Sequence, residues 1–243
     1  MVFLSTESIH LNPKTHSMQK LHLLTKPLAF ALFGLLLISC STQKKAADSE
    51  FTELFNGKNL DGWVGNKTSY KAEDGMIVID PEDEGGGNLF TEKEYGDFIL
   101  RFEFQLTPGG NNGLGIHAPL TGDAAYAGKE IQILDNTAEK YAELKEYQFH
   151  GSVYGVIAAK KGFLKPVGEW NQEEVIVQHP KIKVILNGTT ILEGDYLEAS
   201  KNGTLDGKEH PGLQRSSGHI GFLGHGDVVR FKNIKIKELN STK

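Results

Sequence analysis

The sequence predicts an all-β fold, a jelly-roll sandwich of two antiparallel sheets with one short helix in a loop. Three observations carry this. Residues 51–239 are dense in short apolar–polar alternations, the period of a half-buried strand. Two pairs of such runs are separated by Asp74-Gly75 and Asn187-Gly188, dipeptides that favour two-residue hairpin turns. Glycine supplies 28 of 243 residues, well above the usual share of about 7%. More than about ten short strands, with turns every 8–12 residues or so, suit a jelly roll better than a smaller immunoglobulin-like sandwich. No strand–helix–strand series is present to build a parallel sheet.

In chain order, 70–72 and 76–79 read as the first hairpin, and 81–88 as an acidic, Gly-rich loop. Residues 98–106 alternate cleanly, with Phe98, Leu100, Phe102, Phe104 and Leu106 on one face and Arg101, Glu103 and Gln105 on the other. A turn over 109–113 leads into a strand over 114–117. Residues 130–134 are the next strand. Residues 138–147 are the helix candidate, since Tyr141 and Leu144 share a face and Thr137 stands where a cap would. Strand pattern returns at 151–158, 175–177, 182–186, 189–192, 219–223 and 228–236, with a bulge predicted near Lys232-Asn233.

The N-terminus reads as an address. Residues 28–39 are uncharged and apolar, and Lys20 and Lys26 precede them. The run is shorter than the ~20 residues of a membrane span and has the form of a signal peptide. It ends Leu37-Ile38-Ser39-Cys40, which resembles a bacterial lipobox. The single Cys of the chain stands at the position that would carry the lipid. Residues 1–39 are therefore expected to be removed, with Met18 as an alternative start, and 40–50 to act as a tether. The expected location is the outer membrane, facing the periplasm, through a lipid on Cys40. Residues 51–240 form the single sandwich domain. One Cys excludes a disulfide framework, and a net charge of −5 argues against a nucleic-acid partner.

The densest polar cluster lies between Asn111 and Tyr154. Glu130 and Gln132 share one face of their strand, while Ile131 and Ile133 face the core. Asp135 points the other way unless a bulge intervenes. On pattern alone this is also a strand with a solvated face that ends in an Asp-Asn turn. Glu130-x-Gln132-x-x-Asp135 is similar to the Glu-x-Asp-x-x-Glu of retaining glucanases, but the middle acid is missing. Retention needs two carboxyl groups about 5–5.5 Å apart. His150 and His117 offer a base or ligand near neutral pH, though a lone His is more often structural. No His-x-His or His-Glu-x-x-His spacing marks a metal site, and no Gly-x-Ser-x-Gly elbow surrounds Ser152. Trp63, Trp170, Tyr126, Tyr147 and Tyr154 are aromatic groups that can stack on sugar rings or pack internally.

Ordered motifs run through the whole mature chain. They include Phe55-Asn56-Gly57-Lys58, Asp61-Gly62-Trp63, Tyr95-Gly96-Asp97-Phe98, Asn111-Asn112-Gly113, the stretch from Gly128 through Glu130 to Asn136, Gly151-Ser152-Val153-Tyr154, Gly168-Glu169-Trp170-Asn171, Gly218-His219-Ile220-Gly221 and Phe231-Lys232-Asn233-Ile234. On these the chain resembles the 3-keto-disaccharide hydrolase family of exported bacterial proteins. The resemblance implies a concanavalin A-like sandwich acting on 3-keto-glycosides. The family usually has Arg where this chain has His117.

For such a substrate the ketone at carbon 3 acidifies the proton at carbon 2, so a base can drive elimination of the glycosidic oxygen from carbon 1. The resemblance points to Glu130 or His150 as base. Asp135 would orient a His or hold a divalent metal ion, which would suit an enolate. Gln132, His117, Tyr154 and Asn112 would bind hydroxyls, with Trp170 and Asn171 at the rim. The other classes open to this fold are a carbohydrate-binding, lectin-like module, a retaining β-glucanase and a purely structural envelope lipoprotein.

Overall fold

The computed structural model describes residues 50–79 and 87–240. The leader, Cys40, nearly all of the tether and most of the acidic loop lie outside the described residues. The first strands are β1 (Thr52–Glu53), β2 (Trp63–Gly65), β3 (Tyr70–Glu73), β4 (Met76–Ile79), β5 (Gly87–Tyr95), β6 (Phe98–Leu106) and β7 (Asn111–Ala118). Then come β8 (Lys129–Leu134), β9 (Trp170–Gln178), β10 (Lys181–Leu186), β11 (Thr189–Asp195), β12 (Gly218–Gly224) and β13 (Val229–Glu238). The larger sheet runs β11-β10-β9-β6-β13-β4-β3, with β1 added on β13. The smaller runs β2-β5-β12-β7-β8. Every strand pair is antiparallel.

The core lies between the sheets, because each strand's alternation turns one apolar row inward. β6 buries Phe98, Leu100, Phe102, Phe104 and Leu106, the face that its sequence predicts. Phe231 of β13 and Phe222 of β12 stack with ring centroids 3.8 Å apart and planes 16° from parallel. Phe102 meets both edge-on or tilted. A second, small cluster of Phe90, Ala118, Ala124 and Leu223 lies apart from this core. On β5 and β12 its members alternate with Leu89 and Phe222 of the main core, so it sits on the outer face of the smaller sheet.

Both predicted hairpins form. Asp74 and Gly75 have φ of 48° and 77°, Asn187 and Gly188 50° and 84°, as the mirror-image turn demands. The bulge on β13 is present, with a register shift between Lys232 and Lys235 and Asn233 at φ 52°.

Several elements differ from the sequence reading. Residues 138–147 hold two short 3-10 turns, Glu139–Tyr141 and Glu146–Gln148, and no α-helix. The cap is spent elsewhere: the Thr137 hydroxyl donates to Asp135 Oδ1 at 2.6 Å. Among the described residues the α-helices are instead α1 (Ala124–Ala127), capped by Asp123, and α2 (Tyr196–Ser200), capped by Asp195. Gly87 and Asn88 start β5 and do not belong to a loop, and β2 and β5 had no clear alternation to announce them. Residues 151–158 make only isolated bridges, Ile131 to Val153 and Val153 to Ile157. That segment lines the free edge of β8 through three backbone hydrogen bonds: Gln132 N to Ser152 O at 3.0 Å, Gly151 N to Gln132 O at 2.8 Å and Tyr154 N to Glu130 O at 2.9 Å.

Candidate functional site

The site grows out of β8. Its alternation sends Ile131 and Ile133 into the core and turns Glu130, Gln132 and Leu134 to the outer face. On neighbouring β7, Gly113 lies opposite Gln132 and Gly115 opposite Glu130. The missing side chains make the trough. A Cβ on Gly113 would stand 2.0 Å from Glu130 Oε1, so glycine there is what lets the carboxylate lie across the strand.

A pocket of about 260 Å³ opens over this face. Glu130 and Gln132, each 5% exposed, form its floor with Asn111. Tyr126 of α1, Tyr154 and Leu144 are its walls, and Asp123, Gln148 and His225 its rim. The Gln132 amide is satisfied with its nitrogen turned to Glu130 Oε1 and the Asn112 carbonyl, both at 3.2 Å. The opposite orientation offers only a 3.4 Å contact with Asn111. Gln148 donates to the Tyr154 hydroxyl at 3.3 Å.

His225 sits in the turn between β12 and β13, its Nε2 3.9 Å from Glu130 Oε1. That is an ion-pair distance, longer than a hydrogen bond. The Glu130 carboxylate holds the His225 pKa above its ordinary 6.5, against partial burial, with Asp227 and Asp123 adding to it. The pocket thus holds a carboxylate at its floor and, at its rim, an imidazole whose protonated form that carboxylate favours. One group accepts a proton and the other can give one, which suits paired acid–base chemistry.

Of the residues singled out in the sequence, Glu130, Gln132, Tyr154 and the stacking candidate Tyr126 meet in the pocket. The others do not. His150 lies in the interior, its ring 5.1 Å from that of Phe104 and its Nε2 3.1 Å from Glu173 Oε2 of β9. Both side chains are essentially sealed, at 1% and 0% exposure. They touch without the alignment of a hydrogen bond. Asp135 closes a turn: its carboxylate accepts from Gly109 N at 2.8 Å and from Thr137 N at 2.9 Å. Burial pushes its pKa up, but the bonds from Thr137 and Gly109 outweigh this and hold it below the ordinary value.

Asn112 points inward, since it alternates with Asn111, and donates to the Tyr70 hydroxyl at 3.4 Å. His117 is fully buried, with φ of 50°, and its ring nitrogens face the carbonyls of Arg215 at 3.0 Å and Gly96 at 2.9 Å. Burial and the nearby Lys129 ammonium pull its pKa down to about 4, against those carbonyls. Asn171 accepts from Lys165 N and from Asn187 Nδ2, both at 2.9 Å. Trp170 alternates with it on β9 and packs under the Lys232 ammonium, 3.8 Å from the ring centroid. Both belong to the larger sheet, away from the pocket. Cys40 lies outside the described residues.

Comparison with known proteins places the chain in a family. A family described as 3-keto-alpha-glucoside-1,2-lyase-like domain matches residues 50–237. The chain belongs to this family. It is 26% identical to a 3-keto-disaccharide hydrolase of Bacteroides thetaiotaomicron, over 88% of this chain and 98% of that one. The crystal structure of a candidate glycosyl hydrolase from Parabacteroides distasonis is 31% identical, with a TM-score of 0.68, over 78% of this chain and 99% of the other. The exoplasmic/lumenal domain of VIP36, in a Ca2+/Man3GlcNAc-bound form, is 10% identical with a TM-score of 0.50. It shares the sandwich fold.

Sequence reasoning gave no site role to His225, Asn111, Gln148 or Asp123, although Asn111 opened its polar cluster, and took Tyr126 only as a stacking aromatic. The one available signal for His225 was its place in the Gly-rich run at 221–226, where a turn brings it beside a strand. Among the described residues, no three His, Cys, Asp or Glu side chains gather as a metal ion would need. The pocket's two carboxylates, Glu130 and Asp123, and the His225 imidazole are not gathered as the donor set of a divalent-ion site requires.

Proposed function

We propose that this chain cleaves 3-keto-glycosides by removing the proton at carbon 2 and expelling the glycosidic oxygen from carbon 1. The observation that carries the reading is Glu130, a carboxylate on the floor of a carbohydrate-family pocket with His225 facing it at 3.9 Å. Membership of the family and the hydrolase name of the Bacteroides relative support a carbohydrate-active enzyme.

Glu130 takes the carbon-2 proton, which the adjacent ketone acidifies. The C–H electron pair is held as the enolate of the ketone, which then collapses to the carbon 1–carbon 2 double bond as the carbon 1–oxygen bond breaks toward the leaving group. His225, as imidazolium, gives that oxygen its proton. Glu130 then holds one proton and His225 has lost one, so the pair is set to add water across the double bond in the reverse sense. That addition turns the elimination into net hydrolysis. The Gln132 amide oxygen accepts from a sugar hydroxyl, its two N–H donors being turned to Glu130 and the Asn112 carbonyl, and the Asn111 amide donates to the developing enolate. Tyr126 and Tyr154 flank the ring.

The test uses the protein from Ser41 onward with a 3-keto-glucoside bearing a chromogenic leaving group, beside its unoxidised parent. Release from the keto form alone, lost by two to four orders of magnitude in Glu130→Gln with unchanged melting, is the expected result. Binding without turnover makes the chain a carbohydrate-binding module, and release from the parent makes it a conventional glycosidase. We also propose that Cys40 carries a lipid and anchors the domain at the outer membrane facing the periplasm. The lipobox-like leader supports this, and mass spectrometry of the membrane fraction showing an unmodified Cys40 would overturn it.

A further inference from the structure

Tyr126 is fastened in a way the proposed chemistry does not require. Its hydroxyl accepts from Lys208 Nζ at 3.0 Å and donates to Asp206 Oδ2 at 3.4 Å. Behind it, His210 Nε2 lies 3.1 Å from the same Oδ2. The His210 ring also packs on the Tyr126 ring, centroids 4.6 Å apart. The Asp206 and His210 side chains are 5% and 1% exposed, so this is an interior pair. The bonds from Lys208 N, His210 and Thr204 outweigh the burial of Asp206 and keep it ionised below its ordinary range.

The same turn also fastens the opposite wall. Leu205 N and Asp206 N donate to Gly155 O at 2.7 and 3.3 Å, and Gly155 follows Tyr154. A Cβ on Gly155 would stand 2.6 Å from Asp206 Oδ2 and 2.7 Å from His210 Nε2. Glycine is thus the residue that admits the pair. Tyr126 and Tyr154 meet edge-on, 6.5 Å between centroids at 88°.

We propose that Asp206 and His210 are positioning residues that set the gap between the two tyrosine walls, and so determine how well the pocket grips a substrate ring. The inference rests on the reading of this pocket as the substrate site. A side chain held at one end only samples several rotamers. From residues 204–210, Tyr126 is held at its hydroxyl and on its ring face, and Tyr154 indirectly, through the carbonyl of the Gly155 that follows it. Misplacing a wall by about 1 Å can cost up to roughly a hundredfold.

The experiment is a double-mutant cycle on the whole protein, with kcat and KM measured on the 3-keto-glucoside for Tyr126→Phe, Asp206→Asn and their combination. Tyr126→Phe keeps the ring and removes only its fastening. Each single change is expected to raise KM about tenfold or more and leave kcat within about threefold. The combination is expected to equal either single change, because both break one link. An unchanged KM in Tyr126→Phe, or fully additive losses, would overturn the proposal, since a merely structural Asp206 would act equally in both backgrounds. His210→Gln, which keeps a donor, is expected to restore KM relative to His210→Ala, and equal KM values would count against the pair. Glu130→Gln run alongside separates the two readings. If it retains turnover, the pocket is not the active site. If it is inactive while the cycle shows no effect on KM, only the positioning inference fails.

Discussion

Two glutamate–histidine pairs stand on opposite sides of β8, and they do different things. Glu130 and His225 face each other at 3.9 Å across a pocket, with the His side chain 47% exposed. Glu173 and His150 meet at 3.1 Å between the sheets, with neither reachable by solvent. The residue types are the same and the inner pair is the closer one, yet only the outer pair can meet a substrate. Access decides the role, and access is set by strand parity and by which turn supplies the partner.

The largest expected effect comes from breaking the inner pair. Glu173→Ala leaves the sealed His150 ring beside a void with no polar neighbour, and truncating a buried side chain of this size costs about 2–5 kcal/mol. Urea unfolding should show this, while turnover per folded molecule stays near wild type. A fall in kcat with intact stability would instead make the inner pair part of the chemistry and erase the contrast. Replacing both residues together, Glu173→Leu with His150→Phe, should recover much of the loss.

Next is Gly113→Ala. The atom that its Cβ would meet is the flexible end of Glu130, so the carboxylate moves and the backbone need not. Turnover should drop by about ten- to a hundredfold, with the melting temperature within a few degrees of wild type. Normal turnover would show that Glu130 does not work from the position seen here.

The smallest effect on stability is that of His225→Asn. In the fold the His225 pKa is raised. Its pairing with Glu130 therefore stabilises the fold fully below the unfolded value of about 6.5 and is lost as pH rises through the folded value. With the ring half exposed, the stability at stake is below about 1 kcal/mol. In activity, the alkaline limb of the kcat profile should follow this group and disappear in the variant. A limb that survives would assign the proton donor elsewhere.

The legible parts of the sequence were those fixed by local rules. Period-two alternation gave β6 and the outward face of Glu130 and Gln132, and Asp-Gly and Asn-Gly gave the two hairpins. β5 escaped because Glu92-Lys93-Glu94 interrupts its pattern where it bulges opposite Ile220. The Tyr141–Leu144 stripe looked helical, yet both residues line the pocket and form no helix face. His150 was ambiguous because neither Phe149 nor Gly151 says which side of β8 the ring will reach. Tyr126 and His225 are nearly a hundred residues apart, and only the sheet order β12-β7-β8 brings their turns to Glu130. No spacing rule carries that information.

The three backbone bonds that lay residues 151–154 along β8 have a consequence beyond shaping a wall. β8 is the last strand of its sheet, and an uncovered edge offers its N–H and C=O groups to any extended chain. The segment that carries Tyr154 is also what occupies that edge. Loosening it for the sake of a wider pocket would turn the strand that bears Glu130 into a template for a second molecule, so substrate range and resistance to self-association are tied to the same four residues.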